Sequence, residues 1–112
     1  MGADRVECLN PVKGKASVHI DRWKYDRLRQ LILAILPAEA PGVRFADLPG
    51  LIAERLDPDE RDRLGSVPWY TTSVKLDLEA RGEIRRLPKV SPQELVLMDP
   101  AETPDSAGRS GE

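Results

Sequence analysis

The sequence predicts an α+β domain in which three main helices are backed by a small antiparallel sheet, and three observations carry that expectation. Apolar residues alternate over "ASVHI" at 16–20, then recur at helical spacing from Asp21 onward. Two further helical stripes follow, each bounded by Asp, Pro or Gly. Two short apolar runs at 83–87 and 94–98 then flank a loop containing two prolines.

Residues 1–15 contain Asn10-Pro11 and Gly14 with little periodicity, which predicts an extended arm rather than an element. Ala16, Val18 and Ile20 form the inward side of an N-terminal strand, with Ser17 and His19 outward. Tyr25, Leu28, Ile32 and Ile35 define the buried stripe of a first helix, widened by Leu31 and Leu36. Asp21 suits its N-cap, and Pro37 ends it by forcing Leu36 out of helical conformation.

A short "VRF" strand leads to a second helix, where Asp47 precedes Leu48, Leu51, Ile52 and Leu56. "DPDERDRLG" reads as an extra turn or two, with Asp57 as cap, Pro58 in the first position and Gly65 as the stop. The third main helix spans 68–81, with Ser66 or Val67 as cap and Gly82 as its left-handed end. Strands at 83–87 and 94–98 form a hairpin, with Leu95 and Leu97 inward and Val96 and Met98 outward unless the N-terminal arm covers them. The sequence at 99–112, rich in Pro, Ser, Gly and acids, predicts a disordered tail. The expected organisation is therefore an arm at 1–15, a domain at 16–98 and the tail at 99–112.

A chain of 112 residues suits one small domain, and five aromatic residues leave little material for lining a large ligand cavity. The single Cys8 forms no internal disulfide. With no secretory leader pattern or run of about 18 apolar residues, the expectation is a cytoplasmic protein without a membrane span. Val6 stands where a myristoylation motif needs Ser or Thr. The net charge is −2, but the tail carries four acids against Arg109, so residues 1–98 stand at +1. A nearly neutral body argues against strong nonspecific binding to nucleic acid.

Strand, helix, short strand, two helical segments, helix and hairpin make the layout of a winged helix. Val74, Leu78, Gly82, Ile84 and Arg86 resemble the last helix and wing entry of winged-helix regulators. Residues 7–98 also resemble a family of small uncharacterised bacterial proteins, through "NP..GK", "ID..KY" and "WY.T.VKLDLEARG.I.R.P". That resemblance implies a winged-helix-like fold and no established activity.

On this reading the third helix carries a broad apolar arc, with Trp69, Leu76 and Ala80 close together and Tyr70, Val74 and Leu78 following, and it offers Thr71, Thr72, Lys75 and Glu79 as its exposed face. Threonine can contact phosphate or a thymine methyl, and lysine can reach guanine or phosphate. The face has no Arg, Asn or Gln for bidentate base contacts. Lys75 and Glu79 alternatively form a solvated i,i+4 pair. Asp77 and Arg81 share that spacing inside the apolar arc, which predicts a partly shielded structural ion pair; a buried functional acid is the alternative.

Arg81, Arg85, Arg86 and Lys89 cluster at the hairpin with Glu83 and Glu94 nearby, suited to phosphates or simply to a soluble sheet edge. Three or four phosphate contacts imply a salt slope of about −3, so a dimer would be needed for useful affinity. The long approach at 57–67, in place of a tight turn, puts the helix angle required for groove entry in doubt.

"DPDERD" lacks the closing Glu of a calcium loop, because Pro68 stands there, and reads instead as helix capping. His19 and Cys8 have no companions for a metal site, and no cofactor or catalytic motif is present. The leading expectation is a non-enzymatic module that binds double-stranded DNA through Thr71, Thr72, Lys75, Arg85, Arg86 and Lys89. The alternative is a protein-interaction module on the same scaffold, using the edge of the 16–20 strand or the outward Val96 and Met98.

Overall fold

The computed structural model describes residues 4–12, 14 and 17–98; Ala16 of the expected first strand and the tail at 99–112 lie outside them. The N-terminal segment departs from expectation: Arg5–Cys8 forms strand β1, antiparallel to β2 at Val18–Asp21, with Val6 opposite Ile20 and Cys8 opposite Val18. "RVEC" is itself an alternating run, with Cys8 buried and Arg5 and Glu7 exposed, but four residues are too few to stand out by periodicity. In β2 only Ile20 is buried, while Val18 at the strand start is exposed.

β2 runs directly into α1, Arg22–Ile35, which buries Tyr25, Leu28, Leu31 and Ile32. Asp21 occupies the N-cap position, yet its carboxylate accepts no backbone amide. It lies 3.7 Å from Arg5 Nε, and the Arg22 amide donates to the Asp4 carbonyl instead (2.8 Å). The β1–β2 pairing thus takes over part of the capping that the sequence assigned to one side chain. At the other end Leu36 turns extended before Pro37, and its amide donates to the Ile32 carbonyl at 3.0 Å.

The short strand β3 (Val43–Arg44) and a 3₁₀ turn at Phe45–Asp47 lead into α2, Leu48–Arg55, which buries Leu48 and Ile52. The "DPDERDRLG" stretch forms its own helix α3, Pro58–Leu64. Asp57 accepts the Glu60 amide at 2.8 Å and Glu60 accepts the Asp57 amide at 3.2 Å, a reciprocal capping box, and Gly65 ends the helix at φ 95°.

The third main helix of the sequence reading is α4, Val67–Ala80. Ser66 Oγ accepts the Trp69 amide at 3.2 Å. Gly82 stands at φ 79°, its amide donating to Glu79 while that of Glu83 donates to Leu78, a Schellman end. α4 is the central helix, packed by α1, α2, α3, β1 and the strand that follows it.

β4 (Ile84–Arg86) and β5 (Glu94–Leu97) form the hairpin, and β3 joins it in the order β3-β5-β4, antiparallel throughout. Gly42 passes so close to β5 that a Cβ there would stand 2.5 Å from the Leu95 carbonyl oxygen. Leu95 is buried as expected, but Val96 is buried too and Met98 is half-buried. With Val96 fully buried and Met98 half-buried, the outward apolar surface expected from them is not offered.

The result is an α+β fold with four α-helices and two small antiparallel sheets among the described residues. No helix among them is long and apolar enough to cross a membrane.

Candidate functional site

Every candidate side chain lies on α4 or on the hairpin beyond it, so the orientation of α4 decides what the protein can offer. At about 100° per residue, the buried residues Val67, Thr71, Val74, Lys75, Asp77 and Leu78 occupy an arc of about 160°. Trp69, Thr72, Ser73, Leu76 and Ala80 fall within about 100° on the opposite side, where all five are exposed or half-buried. Trp69, Leu76 and Ala80, expected at one edge of the apolar arc, face outward instead, and Trp69 is 49% exposed.

This overturns the placement of Thr71 and Lys75 on an exposed face. They are 0% and 4% exposed. Lys75 Nζ lies 4.7 Å from the Phe45 ring centroid and 3.2 Å from Glu79. The Lys75–Glu79 pair, expected to be solvated, has side chains only 5% and 10% exposed. Burial pulls the Lys75 ammonium below the usual lysine range, opposed by the Glu79 carboxylate. Thr71 Oγ1 has no hydrogen-bond partner among the described residues. The physical reason lies in α2 and the 3₁₀ turn, which close over a helix flank that an isolated helical wheel leaves open. Of the three expected readers on this helix, Thr72 alone stands on the outward stripe.

Asp77 and Arg81 meet. Asp77 is fully buried, and Arg81 Nε donates to both of its carboxylate oxygens at 2.9 Å. Its other donors come from distant parts of the chain: the Leu9 amide on Oδ1 at 2.9 Å and the Tyr25 hydroxyl on Oδ2 at 2.5 Å. Arg81 also donates to the Glu7 carbonyl at 3.0 Å. Asp77 thereby ties β1, α1 and α4 together. Both of its oxygens are engaged and it has no exposed surface.

The same carboxylate shapes its neighbours. Burial, and then the Asp77 charge, push the Cys8 thiol up to about 11. Burial and the hydrogen bond to Asp77 push the Tyr25 phenol well above its usual range, and the Asp77 hydrogen bond raises the Arg81 guanidinium. Sequence spacing identified the Asp77–Arg81 pair but missed Leu9 and Tyr25, which lie 68 and 52 residues from Asp77. Tyr25 does sit in the quoted "ID..KY" string, but nothing in that string names its partner.

On the hairpin, Arg86 and Lys89 come together along a groove of about 390 Å³ that also includes Leu87, Pro88, Val90 and Gln93. Arg86 is partly committed, with Nε 3.9 Å from Glu79, and Lys89 is exposed in a left-handed conformation at φ 61°. Arg85 is half-buried beside Val96 and does not line that groove. The hairpin cations and the expected helix readers therefore do not assemble into one face: Thr71 and Lys75 are in the interior and Arg85 is turned away.

A second cavity of about 530 Å³ is lined by Asp4, Asp21, Arg22, Trp23 and Asp26. Arg22 already engages Asp4 at 2.8 Å. No group of three or more His, Cys, Asp or Glu side chains among the described residues is placed to hold a metal ion.

Residues 5–95 match DUF6958, a family of unknown function, and the chain belongs to that family. No curated protein and no solved structure matches it.

Proposed function

We propose that the chain is a protein-interaction module built on a winged-helix scaffold, docking its partner on the outward stripe of α4. The strand between the first two helices joins the terminal hairpin in the order β3-β5-β4, which supports the winged-helix reading. The observation that carries the function is the chemistry of the stripe. Trp69, Leu76 and Ala80 with two small hydroxyl side chains suit desolvation against another protein. They bring no cation to a phosphate and no bidentate donor to a base edge.

Photo-crosslinking tests this. A benzophenone side chain at Thr72 should give a discrete protein adduct that disappears with Leu76→Arg, whereas the same group at the exposed Glu54 of α2 should not. Adducts to nucleic acid alone, or a Thr72 pattern no different from that at Glu54, would refute the proposal.

The Arg86 and Lys89 groove favours a second reading, in which the hairpin contacts the phosphates of double-stranded DNA. Fluorescence anisotropy against a mixed duplex should then show low-salt binding with a slope of about −2 to −3, reduced by Arg86→Ala with Lys89→Ala. Absence of binding at low salt removes that reading.

A further inference from the structure

Resting on the reading of α4 as a docking surface, we propose that its occupant is a second copy of this chain, packed antiparallel, α4 on α4, about a two-fold axis. The stripe is self-complementary in size. An axis at the level between Val74 and Lys75 sets Trp69 opposite Ala80 of the second copy and Ser73 opposite Leu76. Each large side chain then meets a small one, twice over, as an isologous interface requires. The small residues also let two helix backbones approach closely, and antiparallel packing opposes the helix dipoles.

Charge follows the same symmetry. The α3 stretch at 57–64, just before α4, carries four carboxylates against two arginines. The stretch at 81–89, just after it, presents the exposed cations Arg86 and Lys89, while Arg81 is held on Asp77, Arg85 is half-buried and Glu83 pairs with Arg29. A two-fold axis across the middle of α4 brings the acidic end of each copy to the basic end of the other; a parallel pairing would set like against like.

The size of the contact fixes its strength. A helix of 14 residues is about 21 Å long. One such stripe falls short of the roughly 800 Å² per partner of a standard interface. The dimer is therefore weak and forms in a concentration-dependent way.

Sedimentation equilibrium of the full chain, from about 10 μM to about 1 mM, tests it, with far-UV circular dichroism confirming that each variant is folded. The average mass should rise above 12.5 kDa with concentration. Leu76→Arg should abolish the rise. Trp69→Ala and Ala80→Trp should each weaken association by about tenfold or more, and the double exchange, which swaps large for small across the axis, should recover most of it. A chain that stays monomeric throughout, or a dimer indifferent to Leu76→Arg, overturns the proposal. A double exchange no better than the single variants overturns this register. A monomer whose Thr72 crosslinker still captures another protein defeats the dimer and leaves the docking reading standing; a monomer with no Thr72 adduct defeats both.

Discussion

Replacing Tyr25 with Phe tests whether Asp77 organises the fold. The ring stays, so no cavity opens; the loss is the hydroxyl that donates to Asp77 Oδ2 at 2.5 Å. A hydrogen bond to a charged group contributes about 1.5–3 kcal/mol net. Asp77 retains Arg81 Nε and the Leu9 amide, so the carboxylate is left partly rather than wholly unsatisfied. The expected loss is about 2 kcal/mol, out of roughly 5–10 kcal/mol available to a domain of this size.

Urea denaturation followed by circular dichroism should show a lower midpoint with an unchanged slope, and Tm should fall by roughly 8–16 °C. Asp77→Asn should cost more, about 3 kcal/mol. That is the low end for a broken buried pair, because the Arg81 side chain is 40% exposed and water can solvate it. A loss below about 0.5 kcal/mol for Tyr25→Phe would refute the reasoning, since a surface substitution does as much.

Three further outcomes follow from packing and charge. Gly42→Ala should destabilise by about 1–3 kcal/mol in thermal melts, because its Cβ would stand 2.5 Å from the Leu95 carbonyl oxygen and force β5 away. Lys75→Met should destabilise by about 3 kcal/mol in thermal melts, because it leaves the nearly buried Glu79 carboxylate with only Arg86 at 3.9 Å, and should leave any DNA binding unchanged, because Lys75 is interior. Stability should fall as pH rises from about 9 towards 11. Below that window Cys8 holds its proton in both states; within it the unfolded thiol ionises while the folded one, raised from 9.0 to about 11, does not. Tyr25, shifted in the same direction, steepens the fall, and Cys8→Ser should flatten it in urea melts compared at about pH 8 and about pH 10.5.

Element order was legible because it rests on local chemistry. Asp57, Pro58, Gly65, Ser66 and Gly82 act on their own backbone or within three residues of it, and each stands where its conformational preference placed it. β1 was not legible: its four residues become a strand only by pairing with β2 and by tethering through Leu9 and Glu7 to Asp77 and Arg81. Asp21 shows the same limit from the other side. It is a good capping residue left unused: its carboxylate lies 3.7 Å from Arg5 Nε instead, and the first helical amide, that of Arg22, donates to the Asp4 carbonyl.

The orientation of α4 was the larger miss, and it bears on function. Its sequence supports two apolar arcs, one through Trp69, Leu76 and Ala80 and one through Val67, Val74 and Leu78. Periodicity alone cannot rank them. Composition offers a criterion: the second arc is β-branched and aliphatic with no bulky aromatic, which lets several elements approach at once, and α1, α2 and β4 all pack on α4. Trp69 on that side would hold them apart; turned outward, it makes a T-shaped contact with Tyr70, ring centroids 4.8 Å apart, and leaves much of its indole in solvent. Lys75 is then carried inside by the same rotation, tolerated because Glu79 and the Phe45 ring receive its charge. Burying the lysine and exposing the tryptophan are thus one event, and that event leaves α4 with the apolar, cation-free outward stripe on which the docking proposal rests.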